Sequence, residues 1–176
     1  PQRPPFRMVD RVVALNDKPQ TSLHARKLIG SNEPVLQGHF PTLPLWPGVY
    51  TIEALAQATN LLMILMGLRE RWAALDREDA DLFRHLDLAG RALRMEAEAG
   101  PEARELQRML GQGPQVSGLL SAVDVKLSQP VWAGQVLDLH VDLDDGFAGL
   151  FRVQVEAQVE RRSVAKGSLT VARVPT

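Results

Sequence analysis

The sequence contains no cysteine. That excludes a disulfide framework, a thiolate nucleophile and a thiolate metal site. Long apolar runs are missing too. The most apolar stretch, Leu61 to Leu68, has eight residues, too few to span a bilayer. Charge of one sign is absent as well: 20 Lys and Arg stand against 21 Asp and Glu, for a formal net charge of −1 with His neutral. No basic stripe suited to a phosphate backbone stands out. No basic, apolar and small-residue signal pattern opens the sequence. His24, His85 and His140 show no metal-ligand spacing with a carboxylate partner, and surface or packing roles fit each of them. These absences lead us to expect a cytoplasmic enzyme or binding protein, with no nucleic-acid partner and no membrane insertion.

What is present is an ordinary globular composition, 45% hydrophobic and 23% charged over 176 residues. That suits one domain, residues 1–176, with a real core. Phe6 to Leu15 reads as a strand or strand entry, with a turn at Asn16-Asp17-Lys18-Pro19, and Thr21 to Ile29 as a second strand. Residues 30–48 hold four prolines and three glycines, so they read as a loop, the kind of segment that often carries function. Pro47 suits the first turn of a helix. From Val49 to Met66 neither Gly nor Pro interrupts, and Gly67 reads as the stop. Apolar residues on nearly every face predict a helix buried all round. Glu53 and Gln57 are its polar exceptions, four residues apart on one face.

Residues 68–112 change texture, with eight Arg and ten acidic residues. Leu82, Leu86, Ala89 and Leu93 recur at helical spacing, and Glu102 to Leu110 reads as a second short helix after Gly100-Pro101. Strands return at Leu119 to Leu127, Val136 to Leu143, Leu150 to Val159 and Val164 to Val174. Turns are expected at Asp144-Asp145-Gly146 and Arg161-Arg162-Ser163. The predicted class is α+β: an antiparallel sheet wrapped on a long helix, with a helical insertion at 68–112.

The chemistry concentrates in two runs, Asn32-Glu33-Pro34-Val35-Leu36-Gln37-Gly38-His39-Phe40-Pro41 and Pro47-Gly48-Val49-Tyr50-Thr51-Ile52-Glu53-Ala54-Leu55-Ala56-Gln57. His39 lies between a permissive Gly38 and the restricted pair Phe40-Pro41, which fixes its direction. Neutral imidazole is a good general base near pH 7. Glu53 lies early in an apolar helix, a placement that suits a general acid. The N–H of Gly48, at the helix start, is placed to hold a carbonyl oxygen that becomes negative. Base, acid and oxyanion donor together suit elimination of water next to a carbonyl. Each residue taken alone also has a plain structural reading: a loop-fixing His, and a Glu53–Gln57 or interchain hydrogen bond that only satisfies polar groups.

The segment Asn32 to Gln57 resembles the bacterial 3-hydroxyacyl-acyl carrier protein dehydratases of the FabZ type, whose pattern runs N-E-x-x-x-x-G-H-F-P, then P-G-V, then E-A-x-A-Q. Pro5-Phe6-Arg7-Met8-Val9-Asp10-Arg11-Val12 is similar to the family's opening P-F-L-L-V-D-R-V. The strand from Val125-Lys126-Leu127 through Pro130-Val131 and Gly134 is similar to its post-helix strand and turn. The resemblance covers residues 5–67 closely and 119–174 loosely.

It implies a single hot-dog fold, a homodimer through a continuous sheet with hexamers (trimers of dimers) also known, and active sites that take His from one subunit and Glu from the other. It implies His39 as base and Glu53 as acid, the N–H of Gly48 on the thioester carbonyl, Gln57 orienting Glu53, and a cis Phe40–Pro41 bond. The acyl chain would enter an apolar tunnel beside the helix. No cofactor is implied, the substrate riding on the phosphopantetheine of acyl carrier protein or coenzyme A.

The chain departs from the family at residues 68–112, where relatives have a short connection. A lid, a carrier-protein docking surface, a packing element and a solvated decoration all fit. Trp46 stands where Met or Phe is usual, and Trp132-Ala133-Gly134-Gln135 replaces a Pro-Gly-Asp type turn. Trp46, Tyr50 and Val49 are candidates for the tunnel mouth, with core packing the alternative. Arg161, Arg162 and Lys166 are candidates for a basic mouth. The leading expectation is a dehydratase serving fatty-acid, polyketide or related lipid synthesis. The alternatives are a dehydratase that also isomerises the double bond (where relatives carry Asp in place of Glu53), a hot-dog thioesterase, and a non-catalytic acyl-binding or scaffold subunit.

Overall fold

The computed structural model describes residues 5–16, 19–93, 98, 100–112 and 116–175; of the expected first turn, Asp17 and Lys18 lie outside these. The chain divides into two compact units. One comprises residues 1–62 and 118–174, and the other residues 63–117 with 175–176.

The first unit is built on a six-stranded sheet. Its strands are β1 (Arg11–Asn16), β2 (Ser22–Leu28), β4 (Val116–Leu127), β6 (Val136–Phe147), β7 (Leu150–Val159) and β8 (Arg162–Pro175), in the order β1-β2-β6-β7-β8-β4. β3 (Leu45–Trp46) and β5 (Val131–Trp132) make a separate two-stranded pair. Alternation decides the faces. Leu23 pairs with Val141 and Ala25 with Leu139, and all four are fully covered. Val141 continues to Val155, and Val153 to Leu169, in the same buried layer. At the close approach of β8 to β4, a side chain on Gly167 would run into the backbone of Asp124.

Helix α1 (Gly48–Ala73) presents Ala54, Leu55, Ala58 and Leu62 as a fully buried stripe in this unit. The expectation of burial on every face fails, because Val49 is 65% exposed and Ile52 and Ala56 are half-covered. One stripe faces the core, and the rest of the helix does not. The helix also runs past Gly67, where a stop was expected. Beyond it Leu68 and Trp72 are fully buried with Leu82 and Leu106, and burial of that size outweighs the glycine penalty of about 1 kcal/mol.

The second unit adds α2 (Asp79–Leu93) and α3 (Pro101–Gln112). They fall where helical spacing placed them, and Leu86, Ala89 and Met109 pack on the same core. His85 is buried there, edge-on to Trp72 with ring centroids 4.8 Å apart, so it is a packing residue.

Two turns differ from expectation. The strand β6 carries on through Asp144-Asp145-Gly146, with an irregularity in register between Leu143 and Asp145. The reversal comes at Ala148-Gly149, which take the positive φ values (50° and 81°) of a tight hairpin. Asp145 Oδ1 accepts the Gly146 N–H and Asp144 accepts from Gln154, so these acids decorate a bulged strand. Likewise Glu160-Arg161, with φ 49° and 65°, make the last hairpin, and Arg162 already belongs to β8. At the start, residues 6–10 precede the strand, with Met8 and Val9 buried.

Candidate active site

The His39 loop is tied down along its length. After β2, the Ile29 N–H donates to the Gln135 carbonyl (2.9 Å) and the Gly134 N–H to the Ile29 carbonyl (2.7 Å). Pro34–Gln37 form a single 3-10 turn. The N–H groups of Gly38 and His39 both reach the Val35 carbonyl, at 3.2 and 3.0 Å. Phe40 pairs with Leu43 through both its N–H and its carbonyl (3.0 and 2.9 Å), after which β3 begins. The His39 ring therefore has a defined direction. It stacks on Phe40 with centroids 4.4 Å apart, and its Nδ1 lies 3.0 Å from the Leu45 carbonyl oxygen.

That last contact decides the tautomer. A carbonyl can only accept, so Nδ1 carries the hydrogen and the neutral ring keeps its lone pair on Nε2. The cis peptide near this point is His39–Phe40, one bond earlier than the Phe40–Pro41 bond expected. Phe40 and Leu43 exchange both backbone hydrogen bonds, so the chain reverses between them, at Pro41-Thr42. Phe40 and Pro41 are exposed.

Glu53 is half-buried one and a half turns into α1. Gln57 accounts for its orientation. The Gln57 Oε1 accepts the Met8 N–H at 2.9 Å, which leaves Nε2 as the donor side. Nε2 donates to the Phe6 carbonyl (2.9 Å) and to Glu53 Oε1 (2.8 Å). Both of its hydrogens are used, Gln57 is buried, and Oε1 of Glu53 is held. Oε2 is the oxygen that Gln57 leaves free. Gly48 is the first residue of α1, where N–H groups lack intrahelical acceptors. A side chain there would run into the Leu127 methyl at the end of β4.

Trp46 is 2% exposed and edge-on to Tyr50 (5.3 Å), which in turn meets Phe6 (6.5 Å). Its indole Nε1 is buried with no hydrogen-bond partner. Packing is therefore the reading that fits Trp46, whereas Val49 stands free. No hydrogen bond or ion pair joins His39 to Glu53 among the described residues. The Leu45 carbonyl, Met8 and Phe6 were not singled out from sequence, because backbone partners leave no residue-type signal.

The other histidines sit elsewhere. His24 and His140 stack on the outer sheet face with centroids 4.5 Å apart, and His24 Nε2 meets Asp138 Oδ1 at 2.7 Å beside Arg26. Asp138 is held below the usual carboxylate range: burial works against this, but hydrogen bonds from Arg26 and His24 outweigh it. Burial, and then the His24 charge, hold His140 below the ordinary histidine value, against smaller opposing effects of Asp138, Glu156 and Asp142. The unfolded chain then takes up this proton first as pH falls, so stability is full above about pH 6.5 and declines below it. Urea midpoints at pH 7.5 and 5.5 are expected to show that decline, and His140→Gln is expected to flatten it. Among the described residues no group of three His, Asp or Glu could hold a metal ion. Of the candidates for a basic mouth, Arg162 pairs with Glu160 and Lys166 with Glu156.

Comparison with known proteins bears on this arrangement. Residues 1–85 match the FabA-like domain family. The 3-hydroxyacyl-[acyl-carrier-protein] dehydratase FabZ of Colwellia psychrerythraea is 30% identical over 176 residues, covering 99% of this chain and 88% of that protein. Among solved structures, the dehydratase heterocomplex ApeI:P from Xenorhabdus doucetiae matches with a TM-score of 0.59 at 17% identity, over 99% of this chain and 88% of that one. A hot-dog-like protein from Thermanaerovibrio acidaminovorans matches with a TM-score of 0.53 at 13% identity, over 89% of this chain and 83% of that one. The fold is a hot dog, an antiparallel sheet with a long central helix and further helices after it. The chain belongs to the FabZ-type 3-hydroxyacyl-[acyl-carrier-protein] dehydratase family.

Proposed function

We propose that this protein removes water from 3-hydroxyacyl thioesters to give trans-2-enoyl thioesters, with His39 as base and Glu53 as acid. The Nε2 of His39 takes a proton from C2. That electron pair forms the C2–C3 double bond as the C3–O bond breaks, and the departing hydroxyl leaves as water with the Glu53 proton. The charge that gathers on the thioester oxygen meets the N–H of Gly48. The observation that carries this reading is the Nδ1–Leu45 hydrogen bond, which commits Nε2 to the accepting role. The Gln57–Glu53 contact supports it from the other side. Nothing in this scheme calls for a metal or redox cofactor.

The working unit in this reading is a homodimer in the cytoplasm, with acyl carrier protein delivering the substrate. Its support is the edge strand β4, where Leu119, Leu120, Val123 and Leu127 all lie exposed, and the uncovered Phe40, Leu43 and Val49 near the site. An exposed apolar edge of this length invites a second copy. Residues 68–112 are read as an insertion within one hot-dog domain. The test is mass spectrometry of 3-hydroxyacyl and trans-2-enoyl thioesters of several lengths, on acyl carrier protein and on coenzyme A. Interconversion by loss and gain of water is expected, faster on the carrier protein. Release of free acid would make the protein a thioesterase, and binding without change an acyl-binding subunit.

A further inference from the structure

Lys27 stands at an inward position of β2. It follows Leu23 and Ala25 on the covered face, pairs with Leu137, and is only 6% exposed. A lysine there must find a partner, because a buried ammonium loses its hydration and is costly unless it is paired. Two carboxylates meet it. Glu33 Oε1 lies 2.5 Å from Nζ and Asp10 Oδ1 lies 3.7 Å away. Both carboxylates belong to irregular segments. Asp10 also accepts the Leu28 N–H at 2.7 Å, and its own N–H donates to the Arg26 carbonyl at 2.8 Å, so it is fixed to the same strand. Glu33 opens the His39 loop: its N–H reaches the Gly30 carbonyl at 3.2 Å, its carbonyl accepts from Leu36 at 3.0 Å, and Val35 then collects the N–H groups of Gly38 and His39.

The loop is thus clamped at both ends. At the far end Leu45, whose carbonyl holds His39 Nδ1, pairs with Trp132 in the β3–β5 ladder. At the near end the charged anchor among the described residues is Lys27. A buried ion pair adds little net stability compared with apolar residues of the same volume, but it is directional and fixes register. We propose that Lys27, acting through Glu33 and with Asp10 as its second carboxylate, is a positioning residue that sets where the imidazole of His39 stands.

The inference rests on His39 being the base, as argued above, and its test separates the two ideas. The variants are Lys27→Met, Glu33→Gln and Lys27→Arg, the last two being milder in case the first does not fold. Two readouts are taken on each: kcat and KM for dehydration on acyl carrier protein, and the ¹⁵N imidazole resonances of His39. Lys27→Met and Glu33→Gln are expected to lower kcat by about tenfold to a hundredfold, the scale of a displacement of about 1 Å, with KM little changed. Lys27→Arg is expected to restore part of that loss. In the wild type the His39 resonances are expected to report hydrogen on Nδ1, and in the two charge-removing variants a mixture of tautomers. Unaltered His39 resonances and kcat in a folded Glu33→Gln protein would overturn the proposal, even if the protein unfolds more easily. If the wild type dehydrates nothing while the resonances still respond to Glu33→Gln, the positioning stands and the assigned reaction fails.

Discussion

His39→Ala is expected to lose at least about a hundredfold in kcat for dehydration, the scale on which general acid–base catalysis contributes. Glu53→Gln is expected to lose a similar amount. Both changes remove a proton carrier and disturb little else. His39 is half-buried, and its removal frees one acceptor, the carbonyl of half-buried Leu45 in β3. The amide oxygen of a glutamine at position 53 can still accept from Gln57 Nε2, so the link to Met8 and Phe6 survives. The acid's proton does not. Urea unfolding of both variants is therefore expected to stay close to wild type while steady-state turnover collapses. A His39→Ala protein that turns over within a few-fold of wild type would remove the imidazole from the reaction. A folded Glu53→Gln protein with full activity would do the same for the carboxyl, leaving the hydroxyl to depart with a proton from water.

Much of this candidate site was legible in the sequence because its residues stand together in two short runs, although each alone also has a plain structural use. Gly38-His39-Phe40-Pro41, Pro47-Gly48-Val49 and Glu53 with Gln57 at helical spacing could be read without coordinates. What could not be read depends on distant packing. The helix passes Gly67 because Leu68 and Trp72 meet Leu82 and Leu106, a core visible only once α2 and α3 fold back. The Asp144-Asp145-Gly146 signal was misread because a bulge uses the same residue types as a turn, and the register against β7 settles which it is. Lys27 was passed over although its signal was present: the alternation Leu23, Ala25, Lys27, Ile29 places a lysine on the apolar face. Its partners lie 17 residues back and six forward, counted from Asp10 and Glu33, and strand pattern alone does not bring them there.

The second large effect concerns how many chains make one site. His39 and Glu53 share no hydrogen bond or ion pair within a chain, and Leu119, Leu120, Val123 and Leu127 of β4 together with Phe40, Leu43 and Val49 are left uncovered in it. If the base of one protomer works with the acid of its partner, two dead variants can repair each other. Mixed in equal amounts and exchanged, His39→Ala and Glu53→Gln form mixed dimers as about half of the population by random pairing. One of the two sites in each mixed dimer carries both substitutions and the other carries neither, so about a quarter of wild-type activity is expected to return. This gain is large against two parents each down about a hundredfold, and no structural repair within one chain produces it. Size-exclusion chromatography of differently tagged chains would report the exchange itself. Exchange without recovered activity would place both groups of each site in a single chain. Recovery near a quarter would show that a protomer by itself is an incomplete enzyme.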